Sequence, residues 1–232
     1  MFSGKMKAVT FSYDDGVSQD IRFIELLNKY GLKGTFNINS EKLGIKEYLD
    51  IGNGSTVNHF KVEAKDVRSI YEGHEVAVHT LTHPNLTMLD EPEVIRQVEQ
   101  DRLNLSELCG YEVVGMAYPC GGVNNDDRTA AIIREHTGVK YARSFESSLS
   151  FEPQENLYRF QSTIYHLDYD NLYRLADEFV AMKPDTPKIF YIWGHTYEFD
   201  VANDWARFEE FLKYISGRDD IFYGTNKEVL LG

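Results

Sequence analysis

Short apolar runs alternate with longer amphipathic stretches along this chain, and the alternation keeps one order. Residues 7–12 (KAVTFS) read as a strand, and 18–30 as an amphipathic helix with Ile21, Ile24 and Leu27 on one face. Gly31 stands where a helix C-cap belongs, and 34–38 read as a second strand. The stretch 39–60 loses periodicity, carries Gly44, Gly52 and Gly54, and reads as a surface insertion. A short helix over 62–71 then leads into a strand over 75–79. A long helix follows over 91–108, capped by Asp90, with Pro92 near its start and Gly110 as its stop. Strands are predicted at 113–118, 139–144, 157–165, 188–193 and 221–223. Helices are predicted between them at 126–136, 169–182 and 204–216. This β/α order predicts a parallel sheet with right-handed crossovers. Seven or eight strands in 232 residues favour closure into a barrel, as a single domain over residues 1–232.

Composition narrows the function. With 42% hydrophobic and 26% charged residues the chain has ordinary globular composition and can bury a core without disulfides. Its two cysteines, Cys109 and Cys120, have no CxxC spacing and suit a reducing compartment. The N-terminus shows no apolar leader with a small-residue cleavage site, and no run of about 18 apolar residues occurs. The expectation is a soluble protein, cytoplasmic by default; a secreted protein shown without its leader would look the same. Lys and Arg total 24 against 37 Asp and Glu, a net charge of -13 that argues against nucleic-acid and anionic-membrane partners. The 15 Tyr and 14 Phe serve mainly as core, with aromatic platforms for a neutral sugar as the alternative.

The chemistry collects at strand ends. Asp14-Asp15-Gly16 and the stretches 79–83, 119–124 and 195–200 each fall just past a predicted strand, where α/β barrels build active sites. His79 and His83 are four apart, a spacing that suits a shared metal, although the zincin pattern HExxH is absent. Two imidazoles and one carboxylate leave coordination positions open, the catalytic arrangement. Zinc is the first expectation, with cobalt, nickel or manganese as other divalent occupants. Two unrelated loop histidines are the alternative, which the acidic cluster on the same rim disfavours.

Asp14 and Asp15 are neighbours at a strand end and point in different directions, so one can bind metal while the other takes a proton from the attacking water. Paired glycosidase carboxylates would have to flank the scissile bond at roughly 5–10 Å, which adjacent residues struggle to do. A plain DDG turn is the bland reading. His195, after the apolar strand IFYIW and Gly194, is placed to protonate a leaving amine, as amide hydrolysis requires. A structural histidine is the alternative there. His59, His74, His136 and His166 lack a comparable setting and read as structural or surface residues.

At these residues the chain resembles the polysaccharide deacetylases with the NodB-type domain, carbohydrate esterase family 4. The family's TFDDG motif appears as Thr10-Phe11-Ser12-Tyr13-Asp14-Asp15-Gly16, with an insertion. Its two-histidine motif appears as His79-Thr80-Leu81-Thr82-His83-Pro84, preceded by Gly73-His74-Glu75-Val76. Tyr118-Pro119-Cys120-Gly121 partly matches its third motif, and Trp193-Gly194-His195 its late histidine motif. The resemblance runs over about residues 7–225 and implies a distorted (β/α) barrel of about seven repeats. It implies Asp14 as general base, Asp15, His79 and His83 as metal ligands, and His195 as general acid. The metal would polarise the acetyl carbonyl, the Tyr118 backbone N–H would support the oxyanion, and Trp193 would help form the slot for the acetyl methyl.

The chain departs from the family in three places. Ala117 stands where many members have an arginine that pairs with the base, and Arg143 is the candidate replacement. The family's fourth motif, an Asp-Trp pair, is not recognisable, which leaves Glu198 and Asp200 as candidates to orient His195. Cys120 occupies an often aromatic position and reads as packing rather than as a nucleophile. The leading expectation is removal of N-acetyl, or O-acetyl, groups from a saccharide or small glycoconjugate. Hydrolysis of another C–N bond, as in a cyclic amide, and a non-catalytic sugar-binding module are the alternatives.

Overall fold

A strand sheathed by neighbours on both faces needs apolar or paired side chains at every position, and β1 (Lys7–Asp14) is buried along its whole length. The computed structural model describes residues 2–232; Met1, the first residue of the expected domain, lies outside them. The strands after β1 are β2 (Gly34–Ile38), β3 (Tyr48–Gly52), β4 (Ser55–Asn58), β5 (Glu75–Val78), β6 (Gly115–Ala117) and β7 (Tyr141–Ser147). They continue with β8 (Phe160–Ser162), β9 (Ile164–Tyr165), β10 (Lys188–His195) and β11 (Ile221–Tyr223). The helices are α1 (Gln19–Lys29), α2 (Val67–Ile70), α3 (Glu91–Ile95), α4 (Asp101–Cys109) and α5 (Asp127–His136). After them come α6 (Tyr169–Ala181), α7 (Glu198–Ala202), α8 (Trp205–Ile215) and α9 (Asn226–Leu230).

The main sheet runs β8-β7-β6-β5-β2-β1-β10-β9 with parallel pairing throughout, and β11 pairs with the first residues of β1. β8 and β9 are successive pieces of one extended segment. The first pairs with β7 and the second with β10, while the Thr163 N–H between them donates to Tyr191 O at 2.8 Å. The two ends of the sheet therefore meet in that segment. Counting β8 and β9 as one, the barrel has seven staves among the described residues, the distorted barrel expected.

The departures from the expected elements have physical causes. On α1 the buried face is Asp20, Phe23, Ile24 and Leu27, while Ile21 is exposed. Asp20 takes the inward position because its carboxylate accepts from Tyr71 (2.7 Å) and Thr196 (2.6 Å). The helix expected over 91–108 does begin at the Asp90 cap and end at Gly110 (φ +75°). It is interrupted, however, by a π-helical turn, Arg96–Gln100. The stretch 39–60 carries the β3–β4 antiparallel hairpin. No helix among the described residues is long and apolar enough to cross a membrane.

Candidate active site

Parallel register sets the site. β1 and β10 align so that Asp14 is opposite His195, and β1 and β2 so that Asp14 is opposite Asn37. β6 and β7 align Ala117 with Arg143. The ends of these strands, with the residues following β5, surround a cavity of about 230 Å³ lined by Asp14, Asp15, His79, His83, Trp193 and His195, among others. A larger cavity of about 540 Å³ beside Arg68, His74 and Tyr111 holds none of these groups.

The backbone that presents them is unusual. Nine non-glycine residues among those described have positive φ, and four of them, Asp15 (85°), Thr80 (66°), His83 (66°) and Cys120 (70°), are on or beside this cavity. Such conformations persist only where surrounding bonds hold them. After Asp15 the chain continues through Gly16 (φ +62°), where a Cβ would come within 2.7 Å of Ile38 Cγ2, so only glycine fits.

The His79–His83 loop is clamped by the π turn. Gln97 accepts the Leu81 N–H on its backbone carbonyl (3.0 Å) and the Thr82 N–H on its side chain (3.1 Å). Asp101 accepts the N–H groups of Ser40 (2.7 Å) and His79 (3.2 Å), tying the loop to the end of β2.

Asp15, His79 and His83 each offer a ligand atom within 4.8 Å of the others, the one such group among the described residues. The donor chemistry fits a metal. His79 Nδ1 lies 2.9 Å from Ala117 O, which makes that nitrogen the N–H donor and leaves the Nε2 lone pair free. Burial depresses the His79 pKa despite the raising pull of Asp14 and Asp15. Burial and then the neighbouring His79 bring His83 to about 4. Both imidazoles are therefore neutral near pH 7, as ligands must be. For Asp15 burial alone would raise the pKa. The His59 hydrogen bond and the Lys61 charge outweigh it and hold the carboxyl far below its usual range.

Asp14 keeps its charge by a similar balance. Burial pushes its pKa up, but the Arg143 charge and hydrogen bond, assisted by the protonated His195, lower it overall. Arg143 Nη2 donates to both Asp14 oxygens (2.6 and 2.5 Å), and Asn37 Nδ2 donates to Oδ1 at 2.8 Å. The Arg143 guanidinium also lies over the Trp193 ring, 4.6 Å from its centroid. Thus the arginine on Asp14 comes from β7, one strand beyond Ala117.

Of the two carboxylates considered for His195, Glu198 is the neighbour. Its Oε2 accepts the His195 backbone N–H (3.0 Å) and lies 3.1 Å from ring Nδ1, an ion-pair contact whose angle is poor for a hydrogen bond. The same oxygen is 2.8 Å from His166 Nε2, while Oε1 accepts from Tyr165 at 2.7 Å. Tyr13 is 3.1 Å from His166 Nδ1, completing a buried chain. Burial would lower the His195 pKa, but Glu198, then Asp15 and Asp14, raise it to about 9. Asp200 is engaged elsewhere, with Gln19 (2.9 Å) and Trp205 Nε1 (2.7 Å).

Two expectations need correction. The Tyr118 backbone N–H is not free for an oxyanion, because it donates to Arg143 O at 2.9 Å as the β6–β7 pairing extends. Cys120 and Gly121 line the cavity, and their backbone N–H groups make no hydrogen bond among the described residues. Cys120, read as packing rather than as a nucleophile, lies with its Sγ 3.8 Å from His83 Nδ1, and burial raises its thiol pKa, which leaves it a poor nucleophile. His59, read as a structural or surface residue without a setting like that of His195, lies beside the site, its Nε2 3.1 Å from Asp15 Oδ2. His166 is structural as expected, yet it reaches the site through Glu198. The sequence hid Asn37, His59 and Lys61 as site residues, because only the β2 register and the return of the hairpin bring them in. His74 holds the Gly34 N–H (3.1 Å), and His136 is exposed.

A family model described as Polysaccharide deacetylase matches residues 3–141, more than half of the chain. Among curated relatives, the peptidoglycan-N-acetylmuramic acid deacetylase PdaC of Bacillus subtilis is 26% identical over 125 residues. That match takes in 53% of this chain but only 23% of the relative. The Bc1960 peptidoglycan N-acetylglucosamine deacetylase structure superposes with a TM-score of 0.59 at 16% identity, over 98% of this chain and 89% of that one. BA3943 of Bacillus anthracis, a CE4 family pseudoenzyme, gives 0.56 at 16% identity, over 97% of this chain and 66% of that one. The structural likeness carries the fold and the sequence match carries the kinship: this chain belongs to the polysaccharide deacetylase family.

Proposed function

We propose that this protein is a zinc-dependent hydrolase that removes the acetyl group from an N-acetylated saccharide. One observation carries the reading: Asp14 and His195, opposite each other in the β1–β10 register, share one cavity with the Asp15–His79–His83 cluster. The relatives named for peptidoglycan deacetylation support an N-acetylhexosamine as the substrate class. At about 230 Å³ the cavity is smaller than the usual 300–1,000 Å³ ligand pocket, which suits an acetamido group with the sugar on the open rim.

A divalent ion held by Asp15, His79 and His83 supplies Lewis-acid polarisation of the acetyl carbonyl, and the two-nitrogen, one-oxygen set favours zinc. The residues supply the rest. Asp14, kept ionised and aimed by Arg143 and Asn37, takes the proton from the attacking water. His195, kept protonated by Glu198, donates through Nε2 to the leaving amine, without which the C–N bond does not break. Trp193 walls the side where the acetyl methyl sits.

The test is acetate release from N-acetylglucosamine oligomers, peptidoglycan and acetylated xylan, beside ring opening of a cyclic amide, with Asp14→Asn as control. Release from the N-acetylated sugars, lost in the variant, is expected. Ring opening of the cyclic amide alone, or binding of the sugars without release, would overturn the reading.

A further inference from the structure

The β3–β4 hairpin returns to the barrel through two residues that touch a proposed metal ligand from behind. His59 and Lys61 are fixed by their own backbones, whose N–H groups donate to Glu47 O and Ile45 O, each at 2.8 Å. Lys61 also bridges to Val17, just past the Asp15–Gly16 turn. Both side chains point at Asp15. His59 Nε2 is 3.1 Å from Oδ2 while its Nδ1 is 3.0 Å from Glu47 Oε1. Lys61 Nζ donates to the Asp15 backbone carbonyl at 2.7 Å and lies 3.3 Å from Oδ1.

Oδ1 is also the oxygen that faces the ligand cluster, 3.7 Å from His83 Nε2. Lys61 is 4% exposed, and Asp15 is its one acidic partner within 4 Å among the described residues. A buried ammonium is costly unless paired, so this pair is a built feature rather than a stray surface contact. In the metal-free protein it neutralises a carboxylate that sits beside Asp14. With a divalent ion at the cluster, the same oxygen faces two cations within a few ångströms, and their repulsion opposes binding.

We propose that Lys61 sets the metal affinity of this site: its ammonium stabilises the metal-free protein and weakens ion binding by charge competition at Asp15 Oδ1, while His59 fixes the carboxylate for the ion. The inference rests on Asp15, His79 and His83 being the metal ligands. If Lys61 merely braced the strained Asp15 backbone, its loss would weaken binding, so the two roles predict opposite signs.

The test strips the protein with chelator and titrates Zn2+ against a chromophoric competitor at fixed pH and ionic strength. Lys61→Met is expected to bind zinc at least tenfold more tightly than wild type, and Lys61→Arg, which keeps the charge, within threefold of it. His59→Ala is expected to bind about tenfold more weakly, the usual cost of losing an outer-shell partner. If Lys61→Met proves unstable without metal, the zinc-induced rise in Tm of Lys61→Gln, expected to exceed that of wild type, carries the same comparison. Equal or weaker zinc binding by the neutral variants, with wild type binding normally, overturns the inference alone. No zinc binding by wild type or variant overturns the ligand assignment and the inference together.

Discussion

Two pairs of buried aspartates make opposite use of burial. Asp14 and Asp15, at the end of β1, face Arg143, Lys61 and histidines, and their pKa values are held below the ordinary range. Asp20 on α1 and Asp101 at the start of α4 are as deeply buried. Their hydrogen-bond donors are the hydroxyls of Thr196 and Tyr71 in one case and the amides of Ser40 and His79 in the other. Burial wins there and raises both to about 7. The comparison teaches that depth does not decide which carboxylates of this barrel are charged; the presence of a cation within contact does. The charged pair is on the cavity, and the near-neutral pair fastens the elements that surround it.

Removing the charge itself tests the comparison most severely. Asp14→Asn is expected to lower kcat by about 10²–10⁴, the usual value of a positioned general base, with zinc binding intact. Steady-state kinetics beside a zinc titration check both halves. Arg143→Met removes the cation instead and leaves Asp14 buried with only the neutral Asn37 amide as its partner, a loss of about 3–5 kcal/mol in denaturant unfolding.

The pair with raised pKa values predicts a pH effect of known sign. Asp20 has its folded pKa raised from 3.8 to about 7, so the folded protein binds more protons than the unfolded chain between those values. Its contribution to stability is therefore most favourable below about pH 4 and falls by a few kcal/mol at most as pH rises to about 7. Unfolding of Asp20→Asn across that window should show a correspondingly flatter profile. The smallest effect sharpens the comparison at His195. Glu198→Gln removes the main group raising it to about 9, so the alkaline limb of kcat/KM should move toward neutral pH.

The fold and much of the cavity were legible because local pattern encodes them. Apolar runs located the strands, and polar residues just past them located the rim, which is why Asp14, Asp15, His79, His83 and His195 could be singled out and meet in one cavity. What remained hidden depends on register and on long-range return of the chain. Arg143 is a candidate because Ala117 leaves the base without the family's arginine and Arg143 falls near the end of the next predicted strand; its contact with Asp14 spans a sequence separation of 129. Asn37 looked like an ordinary strand residue until the β1–β2 register set it against Asp14. His59 and Lys61 lay in or beside a stretch without periodicity, so nothing local tied them to Asp15. Ile21 misled because amphipathic spacing cannot foresee a buried aspartate taking the inward face. Tyr118 failed as an oxyanion donor because a motif position does not reveal where a backbone N–H is already bonded.

The central claim is that acetyl removal runs through one divalent ion at Asp15, His79 and His83. The direct measurement is acetate release from an N-acetylglucosamine oligomer by chelator-stripped protein, titrated with zinc in fractions of an equivalent. The account predicts no release from the stripped protein, a linear rise that breaks at one zinc per chain, and no recovery in His79→Ala. Release that is unaffected by stripping, or full zinc-dependent recovery in His79→Ala, would contradict it.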